Sequence, residues 1–592
     1  MVFHSLTRSV TFGITYWFIA SLAQNVSTPL VNFQVNQPLA VPKSVPKCEV
    51  ELVHHLFANS YYQPAITVYT PPTSCGPIGS WSAISLNWTA TSNGTQYDRL
   101  AGVTLSNVEI WRTSTSEPTP GGIIWTVLKD VTKYIPLFAE PGTLIVDLNN
   151  VIDPKSGLTG EYDVRLTATF HQSDWLHPKA PRADLIFPLS TLSGDQSNVF
   201  AVPPAGNTTV VLPRNAVTAI VEIQATGNGQ EEFWYFNVPD EYLPYIPPET
   251  TYGKGSFREV RVLVDGLVAG VAFPYPVLFT GAFVPTVWRP IVAYGAYDAP
   301  TYNVDLTPFI PLLTDGSPHT VTLDAISDEP DHALNPNWYL SGNIKVSLDE
   351  SNKPTTGNIT RYEVPSFRAQ HTITPIGQDS YNMTVDVSQS VFIEATIVTG
   401  SGARKHITWK QNFHFSNVQS YANNASASFV TQRINGNSIS THNLLPVLLD
   451  NVDFPLSIDF EYVADETGSG WVATFDQQYN RNYLPSPWEV STTIRSSQHA
   501  NGTYIRYPNN GFNRTANGTT FNEFHYVDGK LNSYSRLVDV TNNTVTKDRQ
   551  GGTLTWDFWP FVGRPWSPLA DLLDGLIGFE AVRLPNRNEN KH

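Results

Sequence analysis

Two short runs in this chain hold residue types suited to acid–base chemistry. In Tyr97-Asp98-Arg99 a carboxylate stands beside a guanidinium at the head of an apolar-alternating strand. In Glu231-Glu232-Phe233-Trp234-Tyr235 two carboxylates lead directly into aromatic rings. A carboxylate held by an arginine stays ionised, whereas one desolvated by rings has its pKa raised. Two acids separated in this way are what hydrolysis of a polar bond needs, one as base and one as proton donor. The same residues also suit structural work, Asp-Arg as a salt bridge and Glu-Glu as solvated surface. Trp111-Arg112, Trp234 and Trp288-Arg289 add indole faces for stacking on sugar rings and guanidinium donors for hydroxyls. Each of these tryptophans reads as strand core as readily as ligand surface.

Other chemistries lack their residues. There is no G-x-S-x-G elbow, no H-E-x-x-H and no P-loop, and Gly253-Lys254-Gly255-Ser256 lacks the spacing of a phosphate cradle. Two cysteines cannot make a cysteine-based zinc site, and His54-His55 reads as solvated strand surface, so no metal and no cofactor is expected. A net charge of −16 argues against nucleic acid, whose binding depends on neutralised phosphates.

The elements that must position these groups read as strands. The segment 97–134 looks like a β-hairpin, with Val108 and Ile110 on one strand, a Ser/Thr/Pro loop, and Ile123, Trp125 and Val127 returning. A slip in its alternation at Ser106-Asn107 suggests a bulge. Ile84, Leu86, Trp88 and Ala90 alternate with polar residues, which puts Asn87 on the wet face. Val260, Val262 and Val264 lead into Asp265-Gly266, a two-residue hairpin turn. Leu569 to Leu576 is one of few segments with helical periodicity.

At 592 residues the chain is too long for one core. Short strands at regular spacing predict an all-β protein of antiparallel sandwiches. The expected order is a signal peptide at 1–23, a proline-punctuated linker at 24–47, a first domain at 48–202, a second at 203–352 and a β-rich C-terminal domain at 353–592.

The compartment follows from the N-terminus. Arg8, an apolar run from Phe12 to Ala20 and the small-x-small site Ser21-Leu22-Ala23 read as a secretory signal, too short to span a membrane. The expectation is a secreted protein, extracellular or in the secretory or vacuolar lumen, with no membrane span. N-x-S/T sites at Asn25, Asn87, Asn93, Asn207, Asn358, Asn382, Asn424, Asn501, Asn513, Asn517 and Asn542 agree with it. In an oxidising compartment Cys48 and Cys75 would most simply pair, a loop closure worth about 3–4 kcal/mol in the entropy model.

The runs SWSAISLNWTAT, YDRLAGV, VEIWRTSTSEPT and GIIWTVLKDVTKY, then EEFWYFNVP and FREVRVLVDGLVAGVAFPYPVLFTGAFVPTVWRPI, resemble the peptide N-glycosidase A family. The matching motifs run from about residue 48 to 350. These are glycoamidases of plants and fungi, and the chain resembles a secreted fungal-type member. The resemblance implies two consecutive jelly-roll sandwiches with the site between them, followed by the third domain. It implies N-glycopeptide or glycoprotein substrates, whose β-aspartylglucosylamine amide is cleaved, freeing the glycan and turning Asn into Asp. It assigns the catalytic aspartate to Asp98, with Arg99 beside it, and the supporting glutamate to Glu232. A third acid found in bacterial glycoamidases has no counterpart at Leu148-Asn149-Asn150, and Tyr97 replaces their tryptophan. A silent glycan-binding protein and a carboxylate-pair glycoside hydrolase stand as alternatives.

Overall fold

The computed structural model describes residues 29–464, 468–507 and 514–555. The signal segment, Asn25, Asn513 and the helix candidate at 569–576 lie outside the described residues.

The chain is all-β, with two sandwiches followed by one large sheet. The first sandwich faces a six-stranded sheet (Ile291–Val292, Leu30–Gln34, Ile123–Asp130, Ala83–Ser92, Tyr162–His171, Lys47–Phe57) against a four-stranded one (Ala65–Tyr69, Gly142–Leu148, Leu100–Leu105, Val108–Ser114). Period-two alternation drives it: Ile84, Leu86, Trp88 and Ala90 are buried, and Asn87 on the other face is half-buried. The second sandwich pairs a sheet built on Ala216–Gly227 and Trp338–Leu348 with one built on Glu259–Val264 and His319–Ile326. The Asp265-Gly266 turn forms as expected, both residues at positive φ between paired strands. Cys48 and Cys75 form a disulfide with Cα atoms 5.6 Å apart. Among the described residues no helix is long and apolar enough to cross a membrane.

Several expectations need correction. Ser106 and Asn107 are not a bulge; they form a tight turn at positive φ, and the register shift lies at Val103/Thr104. Val108–Ser114 and Ile123–Asp130 do not pair as a hairpin, because they belong to opposite sheets of the sandwich. Within the expected linker, Leu30–Gln34 is a strand, parallel to both Ile123–Asp130 and Ile291–Val292. Its Asn32 side chain donates to Ser116 Oγ at 3.0 Å, Tyr297 Oη at 2.9 Å and the Trp288 carbonyl at 3.3 Å. Leu185–Leu189 and Phe200–Val202 pair with Trp338–Leu348, so the second sandwich begins before residue 203.

From Thr356–Glu363 to Thr544–Gly551 the chain forms an eleven-stranded sheet with strands of up to 20 residues. It shares one continuous core with the second sandwich, Trp409, Phe415, Phe454 and Phe475 among its contributions. Lys345 Nζ meets Glu489 Oε1 at 2.8 Å, and Lys133 pairs with Glu222, so charges from all three parts meet at one buried junction. Gly502 and Gly518 lie opposite each other on neighbouring strands, where a Cβ would come within 2.6 Å and 2.9 Å of Val287 Cγ1. The two glycines thus make a notch for Val287.

Glu259 is buried where the second sandwich meets the long sheet. Burial pushes its carboxyl up to about 8, against the pull of Arg261 and a hydrogen bond with Gln389. The folded protein therefore keeps a proton that the unfolded chain releases near the ordinary value of 4.5. The stability this proton confers is complete below the ordinary value and is lost as pH rises towards about 8. Glu259→Gln is expected to melt like the parent at pH ~4 and several degrees higher at pH ~8. Melting curves that keep a constant separation across this range would contradict it.

Candidate active site

Asp98 stands just before Leu100–Leu105, between the two sandwiches. Its Oδ2 accepts the backbone N–H of Gly281 at 2.9 Å. A side chain at position 281 would collide with the Asp98 carboxylate and come within 2.9 Å of Glu117 Oε1, so this approach requires glycine. Backbone bonds hold the aspartate's strand in place. The Arg99 N–H donates to Thr115 Oγ1 and the Thr115 N–H returns to the Arg99 carbonyl, each at 2.9 Å. Thr280 Oγ1 donates to the Thr115 carbonyl at 2.7 Å, and the Tyr162 hydroxyl to that of Tyr97 at 2.8 Å.

Glu232 arrives from the other sandwich, one residue past the 3-10 turn Gly229–Glu231. Its neighbour Glu231 points the other way. Glu231 is fully buried against Arg258, takes the Trp338 indole N–H at 2.7 Å and the Asn335 amide at 2.9 Å. Holding Glu231 inward leaves Glu232 facing the cleft.

Asp98, Arg99, Leu100, Ser114, Gly227, Asn228, Glu232 and Phe279 line a narrow cleft. A smaller hollow adjoins it, sharing Gly227, Glu232 and Phe279 and adding Trp234, Tyr275 and Trp338. Arg99 Nη2 donates to Gln96 Oε1 at 2.8 Å, while its buried Nε has no hydrogen-bond partner. Arg289 pairs with Glu117 at 3.2 Å, and its Nε is likewise unpartnered.

The two acids differ electrostatically. Burial raises the Asp98 carboxyl above its ordinary value, while the Gly281 N–H, its own N–H, Arg99 and Arg289 pull it back. Burial, and after it the charge of Asp98, raise Glu232 to about 8. Asp98 is thus the acid that ionises first, and Glu232 keeps its proton at neutral pH. A pair of this kind can accept a proton at one group and give one from the other within a single cleft.

The site thus brings together Asp98, Arg99 and Glu232, with Trp234 in the adjoining hollow and Arg289 within electrostatic reach of Asp98. Three expected ligand residues lie elsewhere. Trp111 is fully buried, its indole N–H bonded to the Tyr297 carbonyl at 3.0 Å. Arg112 is buried in a two-point pair with Glu109 and reaches Thr226 Oγ1 at 3.0 Å and the Tyr339 carbonyl at 2.7 Å, joining the sandwiches. Trp288 is buried against Phe475, with its N–H on the Ala282 carbonyl at 2.8 Å. Sequence reading missed Asn228, Phe279, Gly281 and Glu117. Glu117 sits in the Ser/Thr/Pro stretch that read only as a loop, and glycines flank Asn228 in a run that signals a turn. Among the described residues no cluster of potential metal ligands occurs.

Residues 36–365 match the family described as Peptide N-acetyl-beta-D-glucosaminyl asparaginase amidase A, and residues 382–456 match the PNGase_A C-terminal domain. Peptide-N4-(N-acetyl-beta-glucosaminyl)asparagine amidase A of Prunus dulcis is 31% identical over 573 residues, covering 90% of this chain and 97% of its own length. Among solved structures, PNGase F, a glycosylasparaginase from Flavobacterium meningosepticum, is similar at 14% identity and a TM-score of 0.33, over 51% of this chain and 96% of that one. A peptide-N(4)-(N-acetyl-beta-D-glucosaminyl) asparagine amidase at 2.2 Å is similar at 13% identity and a TM-score of 0.31, over 52% and 97%.

Proposed function

The chain belongs to the peptide N-acetyl-beta-D-glucosaminyl asparaginase amidase A family, and from that premise we propose how its cleft carries out glycan release. The protein is a glycoamidase. It hydrolyses the amide between the asparagine side-chain carbonyl and the glycan-bearing nitrogen, so that Asn becomes Asp and the glycan leaves as a glycosylamine. The observation that carries the site assignment is the meeting of Asp98 and Glu232, from different sandwiches, in one cleft where the charge of Asp98 helps Glu232 keep its proton.

Ionised Asp98 orients a water and takes its proton as the oxygen attacks the amide carbon. The unpartnered Nε of Arg99 offers a donor to the developing oxyanion. Glu232 gives its proton to the nitrogen as the carbon–nitrogen bond breaks, which answers the lack of a third acid at Asn149-Asn150. Asn228 offers an amide to sugar hydroxyls, and Trp234 forms part of the wall of the adjoining hollow. Arg289, paired with Glu117, adds positive charge on the Asp98 side. The disulfide and the N-x-S/T sites support secretion, Asn93, Asn207, Asn358, Asn424, Asn501, Asn517 and Asn542 being exposed.

Turnover of a defined N-glycopeptide in water enriched in heavy oxygen tests the reading. The expected product is a peptide whose former Asn is an Asp carrying one heavy oxygen, with the glycan released whole. An Asn that keeps a sugar would identify a glycoside hydrolase, and an unchanged glycopeptide a binding protein.

A further inference from the structure

The lip of the cleft carries an aromatic group that this chemistry does not use. Asn228, beside Glu232, donates from Nδ2 to the Tyr339 hydroxyl at 3.3 Å and to Asn337 Oδ1 at 2.9 Å. Tyr339 in turn lies close enough to Tyr61 and Tyr62 for their charges to act on its ionisation. These two tyrosines come from the other sandwich, in the turn before Ala65–Tyr69. Their rings meet edge to face at 72°, and Tyr61 is 45% and Tyr62 77% exposed. Tyr62 holds a left-handed φ of 55°, a costly conformation for a bulky residue. Its N–H is fixed by Asn149 Oδ1 at 2.9 Å, and Ser60 Oγ locks the turn by donating to the Leu148 carbonyl at 2.6 Å. The turn therefore keeps two large rings in water at a backbone cost, the reverse of what core formation selects.

We propose that Tyr61, Tyr62 and Tyr339 form an outer sugar subsite, where pyranose rings beyond those next to the scissile amide lie against the phenol faces. The proposal rests on the glycoamidase reading. A sugar ring shows a C–H face to an aromatic ring and hydroxyls to its rim, and Asn149, Asn228 and Asn337 supply neutral donors and acceptors around these phenols. Asp147, which acts on Tyr339, is hydrogen-bonded by Ser197. A peptide strand would instead seek a row of backbone partners, which side-chain rings do not provide. The surface is continuous with the cleft through Asn228 and spans both sandwiches, so it lies where a branched glycan leaves the reacting centre.

The test compares one peptide carrying either a branched N-glycan or only the N,N′-diacetylchitobiosyl core. Tyr62→Ala and the double variant Tyr61→Ala/Tyr62→Ala should raise KM for the branched substrate about tenfold. They should leave its kcat and both constants for the core substrate unchanged, and Tyr62→Phe should behave as the parent. Equal effects on both substrates, or none, would overturn the proposal. A defect that grows with peptide length at fixed glycan would reassign the surface to the peptide. If the parent releases neither glycan, the glycoamidase reading fails separately. Calorimetric titration of free branched oligosaccharide then decides the subsite, with weaker binding to Tyr62→Ala supporting it and equal binding overturning it.

Discussion

Asp98→Asn is expected to give a protein that folds as the parent does and releases glycan at least about a thousandfold more slowly. The two side chains have nearly the same shape, and Asn can still accept the Gly281 N–H through its carbonyl oxygen. Burial already works against the charge of Asp98, so a neutral group costs the fold little. What disappears is the proton acceptor: an amide cannot deprotonate water in the usual pH range. The measurement pairs glycopeptide turnover, read as incorporation of heavy oxygen, with a thermal melt. A rate within tenfold of the parent, with an unchanged melt, would remove Asp98 from the mechanism.

The neighbouring glutamates should fail in opposite ways. Glu231→Ala leaves Arg258 buried without its partner and strips the acceptor from the Trp338 indole, a loss of about 3–5 kcal/mol that shows as a collapsed melt. Glu232→Gln should melt as well as the parent, and better on the alkaline side. The folded pKa of Glu232 lies near 8, above its ordinary value, so in the parent the stability from that proton is lost as pH rises. Activity follows the same proton. The parent rate should fall as pH rises through about 8 and Glu232 ionises. At low pH it should fall as Asp98 is protonated, at a pH above the usual aspartate range. In Glu232→Gln the rate should drop about a hundredfold and lose the alkaline limb while keeping the acid one. An alkaline limb that survives the substitution would assign it to another group.

The strands were legible because alternation is a local property. The run Ile84, Leu86, Trp88, Ala90 buries the residues its period assigns, and Asp265-Gly266 turns where its conformational preference allows. Pairing was less so. Val108–Ser114 and Ile123–Asp130 are near in sequence, yet sandwich formation sends them to opposite layers, a choice set by long-range packing. Leu30–Gln34 looked like linker because prolines flank it and because its parallel partners lie far along the chain. Among site residues, Asp98 and Glu232 were selected by family resemblance; their local composition suited a surface ion pair equally well. Trp111, Trp288 and Arg112 were misplaced for one reason. A wide ring or a guanidinium is as useful inside a large sandwich as at its surface, and Glu109, Thr226 and Tyr339 decide the matter for Arg112 from three separate strands.

The notch formed by Gly502 and Gly518 bears on how such a protein can evolve. Val287, which fills it, lies two residues before Arg289 on the segment that also carries Gly281. The last third of the chain thus grips the loop whose Gly281 N–H holds Asp98, so that loop is packed between regions far apart in the sequence. A lineage could not trade this third for another module as beads are exchanged on a string. Any replacement would need two glycines at matching rungs of adjacent strands. Inheritance of the chemistry and inheritance of the scaffold are therefore tied together, and a harmless-looking methyl at position 518 is a change in the enzyme.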